Sequence, residues 1–281
     1  MISDNKVNDK LLTMQFGSRT ITTENKAFIM GIVNVTPDSF YSESRGGIER
    51  AEQLISDGAD ILDIGGESTR PGYTAVDDDE EIKRVVPVIT EIRKRYTIPI
   101  SMVTTKYSVL KAAYEAGADI FNDISSFDYD DGGKCADFAA QKGMSVILMH
   151  RFTEPEEDRT TNPEIVEEVS GYLEDKVQFA LAHGIPLEKI IIDPGIGFGK
   201  TFEENVLLIK NTQKLCGGKY PILMALSRKR CIGTITRRTI EERLAGTLAA
   251  NILSIQKGAV MVRVHDVAET KDALNIMKYL S

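Results

Sequence analysis

Cysteine is scarce in this chain, with Cys135, Cys216 and Cys231 its only examples. They are odd in number, widely spaced and without a CxxC pair, so neither a disulfide framework nor a cysteine zinc site is indicated. Free thiols fit a reducing compartment, and a cytoplasmic location is expected. Long apolar runs are missing too. None approaches the roughly 20 residues needed to span a bilayer, and the polar start MISDNKVNDK has no signal-peptide core. Positive charge is in deficit: the net charge is −8, which argues against nucleic acid held by bulk electrostatics but leaves room for a local cationic phosphate pocket. Small-molecule partners are therefore expected, with no nucleic acid and no membrane.

What is present is a rhythm of short apolar runs, glycine-rich or polar turns, and helical patterns. The 281 residues are close to the ~250 typical of a (β/α)8 barrel. Strands are expected at Ile29–Val33, Ile61–Ile64, Ile98–Val103, Asp119–Asn122, Ser145–Met149, Ile190–Ile192, Ile222–Leu226 and Val260–Val264. Continuous apolar strands alternating with helices imply parallel pairing buried on both faces. The expected fold is an α/β (β/α)8 TIM barrel, with a doubly wound open sheet as the alternative. Leu11 to Thr23 alternates around Gly17-Ser18 and predicts a β-hairpin that plugs the bottom of the barrel. Asp77 to Tyr96 carries an acidic first turn and basic last turn, matching a helix dipole. Helices are also read from Thr161-Asn162-Pro163 to His183-Gly184 and from Thr239 to Lys257-Gly258. "DGAD" at 57–60 recurs as "AGAD" at 116–119, a helix-to-strand turn used twice. No linker divides the chain, so 1–281 reads as one domain, with 1–10 expected to be flexible.

In such a barrel the C-terminal strand ends share one rim. Read in order, that rim carries NVTPDSF (34–40), DIGGESTRPG (63–72), Asn122-Asp123, His150, DPGIGFGK (193–200), Ser227-Arg228-Lys229 and Arg263-Val264-His265-Asp266. Arg263, His265 and the groups around Ser68 and Thr69 suit an anion, since arginine offers a bidentate fork to phosphate oxygens. Asn34 is a neutral oxygen ligand able to support Mg²⁺ already bridged by diphosphate. Asp193, Asn122 and Lys229 are a donor and acceptor set for a flat heterocycle with an amino-pyrimidinone edge. Bland readings stand beside these. Asn34, Pro37 and Asp38 are also ordinary turn formers. GIGFGK lacks the GxxxxGK[ST] spacing of a phosphate loop. His183 reads as a helix-end charge partner, and His150 as either site residue or loop anchor. Asp63 in an apolar strand is harder to dismiss, because a buried carboxylate needs a partner.

Together, NVTPDSF, GGESTRPG, DPGIGFGKTFEEN, SRK and RVHDV in this order resemble the dihydropteroate synthase family, from about Leu11 to the carboxyl terminus. The resemblance implies a (β/α)8 barrel, a homodimer, and condensation of 6-hydroxymethyl-7,8-dihydropterin diphosphate with p-aminobenzoate in folate biosynthesis, with Mg²⁺. Carried over, Asn34 is the Mg²⁺ and diphosphate ligand, with Ser68, Thr69, Arg263 and His265 completing the anion pocket. Asn122, Asp193, Lys229 and Met149 contact the pterin, with Val103 facing it. Thr69, Arg70, Pro71, Phe198, Ser227 and Lys229 fall where the family holds p-aminobenzoate, which is also the sulfonamide site. Lys229, Arg263, His265 and Asp63 are the expected catalytic groups.

The chain departs from the family at strand three, where Ser-hydrophobic-Asp-Thr reads Ser101-Met102-Val103-Thr104. Alternation still points Val103 where the family's carboxylate points. Losing one preorganised electrostatic group typically costs ~10²–10³ in rate, so reduced turnover is expected. YSESRGG after Phe40 is shorter than usual, Ala225 replaces a customary glycine, and Arg151-Phe152 after His150 is atypical. Two further readings stay open: a catalytically inactive pterin-binding paralogue, and a pterin-dependent methyltransferase.

Overall fold

The computed structural model describes residues 11–35, 45–67, 76–154 and 156–280. Residues 1–10, Pro37, Asp38 and the YSESRGG loop through 44 lie outside these, as do Ser68, Thr69, Arg70 and Pro71.

Strands β3 (Phe28–Asn34), β4 (Ile61–Gly65), β5 (Ile100–Val103), β6 (Ile120–Asp123), β7 (Ser145–Met149), β8 (Ile190–Asp193), β9 (Ile222–Met224) and β10 (Ala259–Val264) close into one barrel, β10 pairing with β3. Every barrel pairing is parallel. Helices α1 (Arg45–Ser56), α2 (Asp78–Arg95), α3 (Tyr107–Ala116), α4 (Lys134–Lys142), α5 (Ile165–Ala182), α6 (Phe202–Lys210), α7 (Arg230–Thr236), α8 (Leu244–Gln256) and α9 (Val267–Leu280) occur between and after the strands. The expected barrel holds, and the open sheet does not.

Ahead of the barrel, β1 (Leu12–Phe16) and β2 (Arg19–Thr23) form the antiparallel hairpin. Its turn glycine, Gly17, adopts φ +57, and a Cβ there would lie 3.2 Å from the Asp119 carbonyl oxygen. Phe16 is fully buried and meets Phe28 edge-on, with ring centroids 6.0 Å apart. Both rings belong to an interior cluster with Met30, Ile61, Ile120, Ile147, Ile191, Leu223 and Met261. Arg19 reaches Asp119 at 2.9 Å, and Ser145 bonds both the Gln15 carbonyl and the Gly17 amide. The hairpin therefore closes the barrel at the N-terminal ends of its strands.

The twice-used turn has one physical job. Asp60 Oδ2 accepts the amide of Ile29 at 2.8 Å, and Asp119 Oδ2 accepts that of Ile100 at 3.0 Å. Each aspartate satisfies one amide at the start of the preceding strand. Gly58 and Gly117 turn the chain at φ +98 and +116.

Boundaries shifted where side chains took over the backbone. β5 begins at Ile100 because Arg93 claims the carbonyls of Tyr96 and Ile98, and Pro99 has no amide for the ladder. Helix α2 follows expectation, with the Asp77 side chain accepting the Glu80 amide at its start. The run from Thr239 is not one helix: Thr239 caps a short 3-10 turn at Ile240–Glu242, and α8 starts afresh at Leu244.

Candidate active site

Interior residues alternate along each strand, so the residues two positions beyond the apolar interior layer form the next layer up. Ile61 is followed by Asp63, Ile120 by Asn122, Ile147 by Met149, Ile191 by Asp193, Leu223 by Ala225 and Met261 by Arg263. Apolar below and largely polar above is the pattern of a packed barrel that opens into a site on its C-terminal face.

Contacts that skip a strand confirm the inward direction. Asp63 on β4 accepts Nδ2 of Asn122 on β6 at 3.1 Å and Nε of Arg263 on β10 at 2.5 Å. Its side chain is fully buried and both oxygens are occupied, which answers the cost of a carboxylate in an apolar strand. Asp123, one residue past Asn122, faces outward instead and holds the following turn through Ser125 and Phe127 amides at 2.8 and 2.6 Å.

On the next sector, Arg263 and His265 stand two apart at the end of β10. His265 Nδ1 and Ser227 Oγ are 2.9 Å apart, and the His265 amide donates to the same hydroxyl at 3.2 Å. Burial, then the neighbouring Arg263, pushes the imidazole down to about 4, so it is neutral near pH 7. Arg50 of α1 bonds the His265 carbonyl at 2.5 Å. Arg228, held at φ +55, forks onto Asp266 at 2.7 and 3.0 Å. That fork ties the Ser227–Lys229 loop to the end of β10. Arg228 and Asp266 carry no role in the sequence motifs; their bidentate pairing is invisible in sequence.

Asp193 is buried, and its Oδ1 accepts the Gly195 amide at 2.7 Å. Burial raises its pKa; the Gly195 amide and the cations Lys229, Arg263 and Lys200 oppose that. Lys229, lowered by burial to about 8 and supported by Asp193, places Nζ 4.5 Å from the Phe198 ring centroid. Thus Asp193, Lys229 and Phe198 lie together. Met149 is buried one residue before His150. Asn34 ends β3 half-buried, level with Gly65. Val103 is buried, level with Gly65 on one side and Asn122 on the other.

His150 resolves as an anchor. It is buried between the rings of Phe152 and Tyr172, centroids 4.6 and 4.9 Å away, and its main chain bonds Asp193 and Lys200. Burial and then Lys200 push its pKa down to about 3. His183 sits at the end of α5, with Nδ1 2.7 Å from Asp137. Lys200 was read only as the end of a weak glycine loop, yet it is completely buried at the junction of β7 and β8.

A barrel with a polar, partly cationic mouth defines a class of small-molecule enzyme. The family described as "Pterin binding enzyme" matches residues 30–265, and the chain belongs to it. It is 40% identical over 266 residues to the dihydropteroate synthase of Clostridium beijerinckii, covering 92% of this chain and 96% of that one. The Xanthomonas albilineans dihydropteroate synthase solved with 4-aminobenzoic acid superposes at TM-score 0.87 and 40% identity, covering 96% and 98% of the two chains. The same protein solved with 7,8-dihydropteroate matches at TM-score 0.84, 37% identity and the same coverage. Within the family the chain groups with the dihydropteroate synthases, which are transferases. Neither the non-catalytic paralogue nor the methyltransferase reading is favoured by these relatives.

Proposed function

We propose that this chain, acting as one domain, joins 6-hydroxymethyl-7,8-dihydropterin diphosphate to p-aminobenzoate. The products are 7,8-dihydropteroate and diphosphate. The observation that carries the reading is Asp63, which ties Arg263 to Asn122. Through it, the group suited to an anion and the group suited to a heterocycle share one barrel mouth.

In the proposed step, the methylene C–O bond breaks and its electron pair leaves with diphosphate. The amine nitrogen of p-aminobenzoate attacks the methylene carbon and then loses a proton. Arg263 and His265 receive the developing charge on the leaving group, joined in this reading by Ser68 and Thr69. Asn122, Asp193, Lys229 and Met149 hold the pterin. Phe198, Ser227, Lys229, Thr69, Arg70 and Pro71 hold p-aminobenzoate. Catalysis rests on positioning and charge stabilisation. Ser227 reaches this role already bonded to His265, so the aminobenzoate lip and the anion corner are coupled.

Among the described residues no group of three or more His, Cys, Asp or Glu could hold a metal ion. Asn34, a neutral oxygen donor half-buried at the end of β3, would be the protein ligand of a Mg²⁺ that arrives with the diphosphate. Bound there, Mg²⁺ would supply charge neutralisation on the leaving group. The proposal includes a homodimer, supported by apolar side chains left exposed on the last helices, Leu253 and Ile276. It also includes a cytoplasmic location, supported by three free, buried thiols.

The test is diphosphate release from the purified chain with both substrates and Mg²⁺, with sedimentation of the same sample for the dimer. Formation of 7,8-dihydropteroate supports the reading. Binding of the diphosphate pterin with no product at high enzyme concentration overturns it.

A further inference from the structure

Lys200 is a completely buried lysine, and among the described residues its ammonium forms no ion pair within 4 Å. Its Nζ donates to two main-chain carbonyls, His150 at 3.1 Å and Gly195 at 2.9 Å, and lies 5.3 Å from the Phe152 ring centroid. Burying an ammonium whose direct contacts are carbonyl oxygens is costly, and an apolar side chain of similar length would fill the space at less cost.

The two carbonyls explain why the charge is there. The His150 amide donates to the main-chain oxygen of Asp193 at 3.0 Å. The Gly195 amide donates to Oδ1 of Asp193 at 2.7 Å. Lys200 therefore joins the two backbone segments that grip Asp193, one through its main chain and one through its carboxylate. These segments approach so closely that a Cβ on Gly195 would fall 1.8 Å from the His150 oxygen. Two carbonyls facing one point repel each other, and an ammonium between them converts that repulsion into attraction. The far end of the loop is held as well. Asn205 Nδ2 bonds the carbonyls of Lys200 and Thr201 at 3.0 and 2.8 Å, and its Oδ1 accepts the Gly197 amide at 2.7 Å.

Electrostatics agree with the geometry. Asp193 is buried, which raises its pKa, and Lys200 is one of three cations that oppose the rise. Asp193 in turn is the chief influence holding the Lys200 ammonium up against its own burial, which lowers it to about 7.

We propose that Lys200 is a positioning residue for the pterin site: it bolts the β7 and β8 strand ends together and places a buried positive charge behind the Asp193 carboxylate. The inference rests on the functional reading above, in which Asp193 takes the N–H donors of the pterin edge. It acts only through Asp193, so it makes a selective forecast about ligands.

The experiment is calorimetric binding of 6-hydroxymethylpterin and, separately, of inorganic diphosphate with Mg²⁺ to the full chain and to Lys200→Met. The pterin dissociation constant should rise by about tenfold or more, the effect of losing charge-assisted hydrogen bonds. Diphosphate binding should stay within about twofold, since Lys200 bonds neither Arg263 nor His265. Lys200→Gln, which keeps a neutral donor, should fall between the two, and it carries the same comparison if Lys200→Met does not fold. Unchanged pterin affinity overturns the inference, as does equal weakening of both ligands, which would mean general loosening. Absence of pterin binding by the unaltered chain would instead remove the functional reading itself.

Discussion

Oδ2 of Asp63 accepts Nε of Arg263 at 2.5 Å, across the interior of the barrel and past the intervening strand β3. Asp63 is thus a strut between Arg263 and Asn122. Each of its oxygens holds one of these partners, Asn122 on Oδ1 and Arg263 on Oδ2. Asp63→Asn leaves a partly buried guanidinium without its counter-charge and should destabilise the fold by about 3 kcal/mol. It should also lower kcat/KM at least about a hundredfold. Urea unfolding and diphosphate release measure the two effects. An unchanged rate would show that Arg263 needs no strut.

Val103 is an apolar, inward-facing residue at a position where the family resemblance implies a carboxylate. It is buried and flanked by Gly65 and Asn122. Val103→Asp should raise turnover by about 10²–10³ if the missing group stabilises developing positive charge. It should also lower thermal stability, since a carboxylate replaces a packed β-branched side chain. Side-by-side assays decide; equal rates in both chains would mean the chain has dispensed with that group.

The neutral state of His265 makes the anion corner pH-sensitive. Its pKa is lowered to about 4 by burial and by Arg263, and a diphosphate at 2- to 4- charge would push it back up. Diphosphate binding should therefore take up a proton and tighten as pH falls from about 7 toward 5. Calorimetry in two buffers of different ionisation enthalpy counts that proton. Binding without proton uptake would mean His265 stays neutral beside the anion.

His150 gives a separate acid signature. Its folded pKa, about 3, lies below the ordinary histidine value, so the unfolded chain binds the proton more readily. The resulting stability is complete above about pH 6.5 and is lost as pH falls toward 3. His150→Phe should flatten part of the decline between pH 6.5 and 4 in the denaturation free energy. An identical pH slope in the variant would contradict the buried-neutral assignment.

The hairpin plug should matter for stability and little for ligands. Phe16→Ala removes a fully buried ring from beneath Phe28 and should cost about 3–5 kcal/mol. Pterin and diphosphate affinities measured below the transition should be unchanged. A large loss of affinity would show that the bottom of the barrel transmits strain to the rim.

Most of the fold was legible before any coordinates. Eight apolar runs separated by helices predict a parallel barrel because buried parallel strands lose the polar alternation of an exposed sheet. The hairpin was legible from its alternation around Gly17-Ser18. Strand ends were less so, since Arg93 and Pro99 set the start of β5 by hydrogen bonding that no local pattern encodes. Motif order predicts which polar residues lie at the strand ends. Their partners are not legible there, and no local pattern separates His150 as a loop anchor from His150 as a site residue.

The sequence by itself determined which chemistry-bearing residues sit at strand ends, and that one of them, Val103, is apolar. These follow from period and position along a single strand. Only the tertiary structure decided that Asp63 bridges Arg263 and Asn122, that Asp266 clamps Arg228, and that Lys200 is buried behind Asp193. Each joins residues brought close by barrel closure or a strand-end loop. The Asp63–Arg263 bridge alone spans 200 positions of sequence.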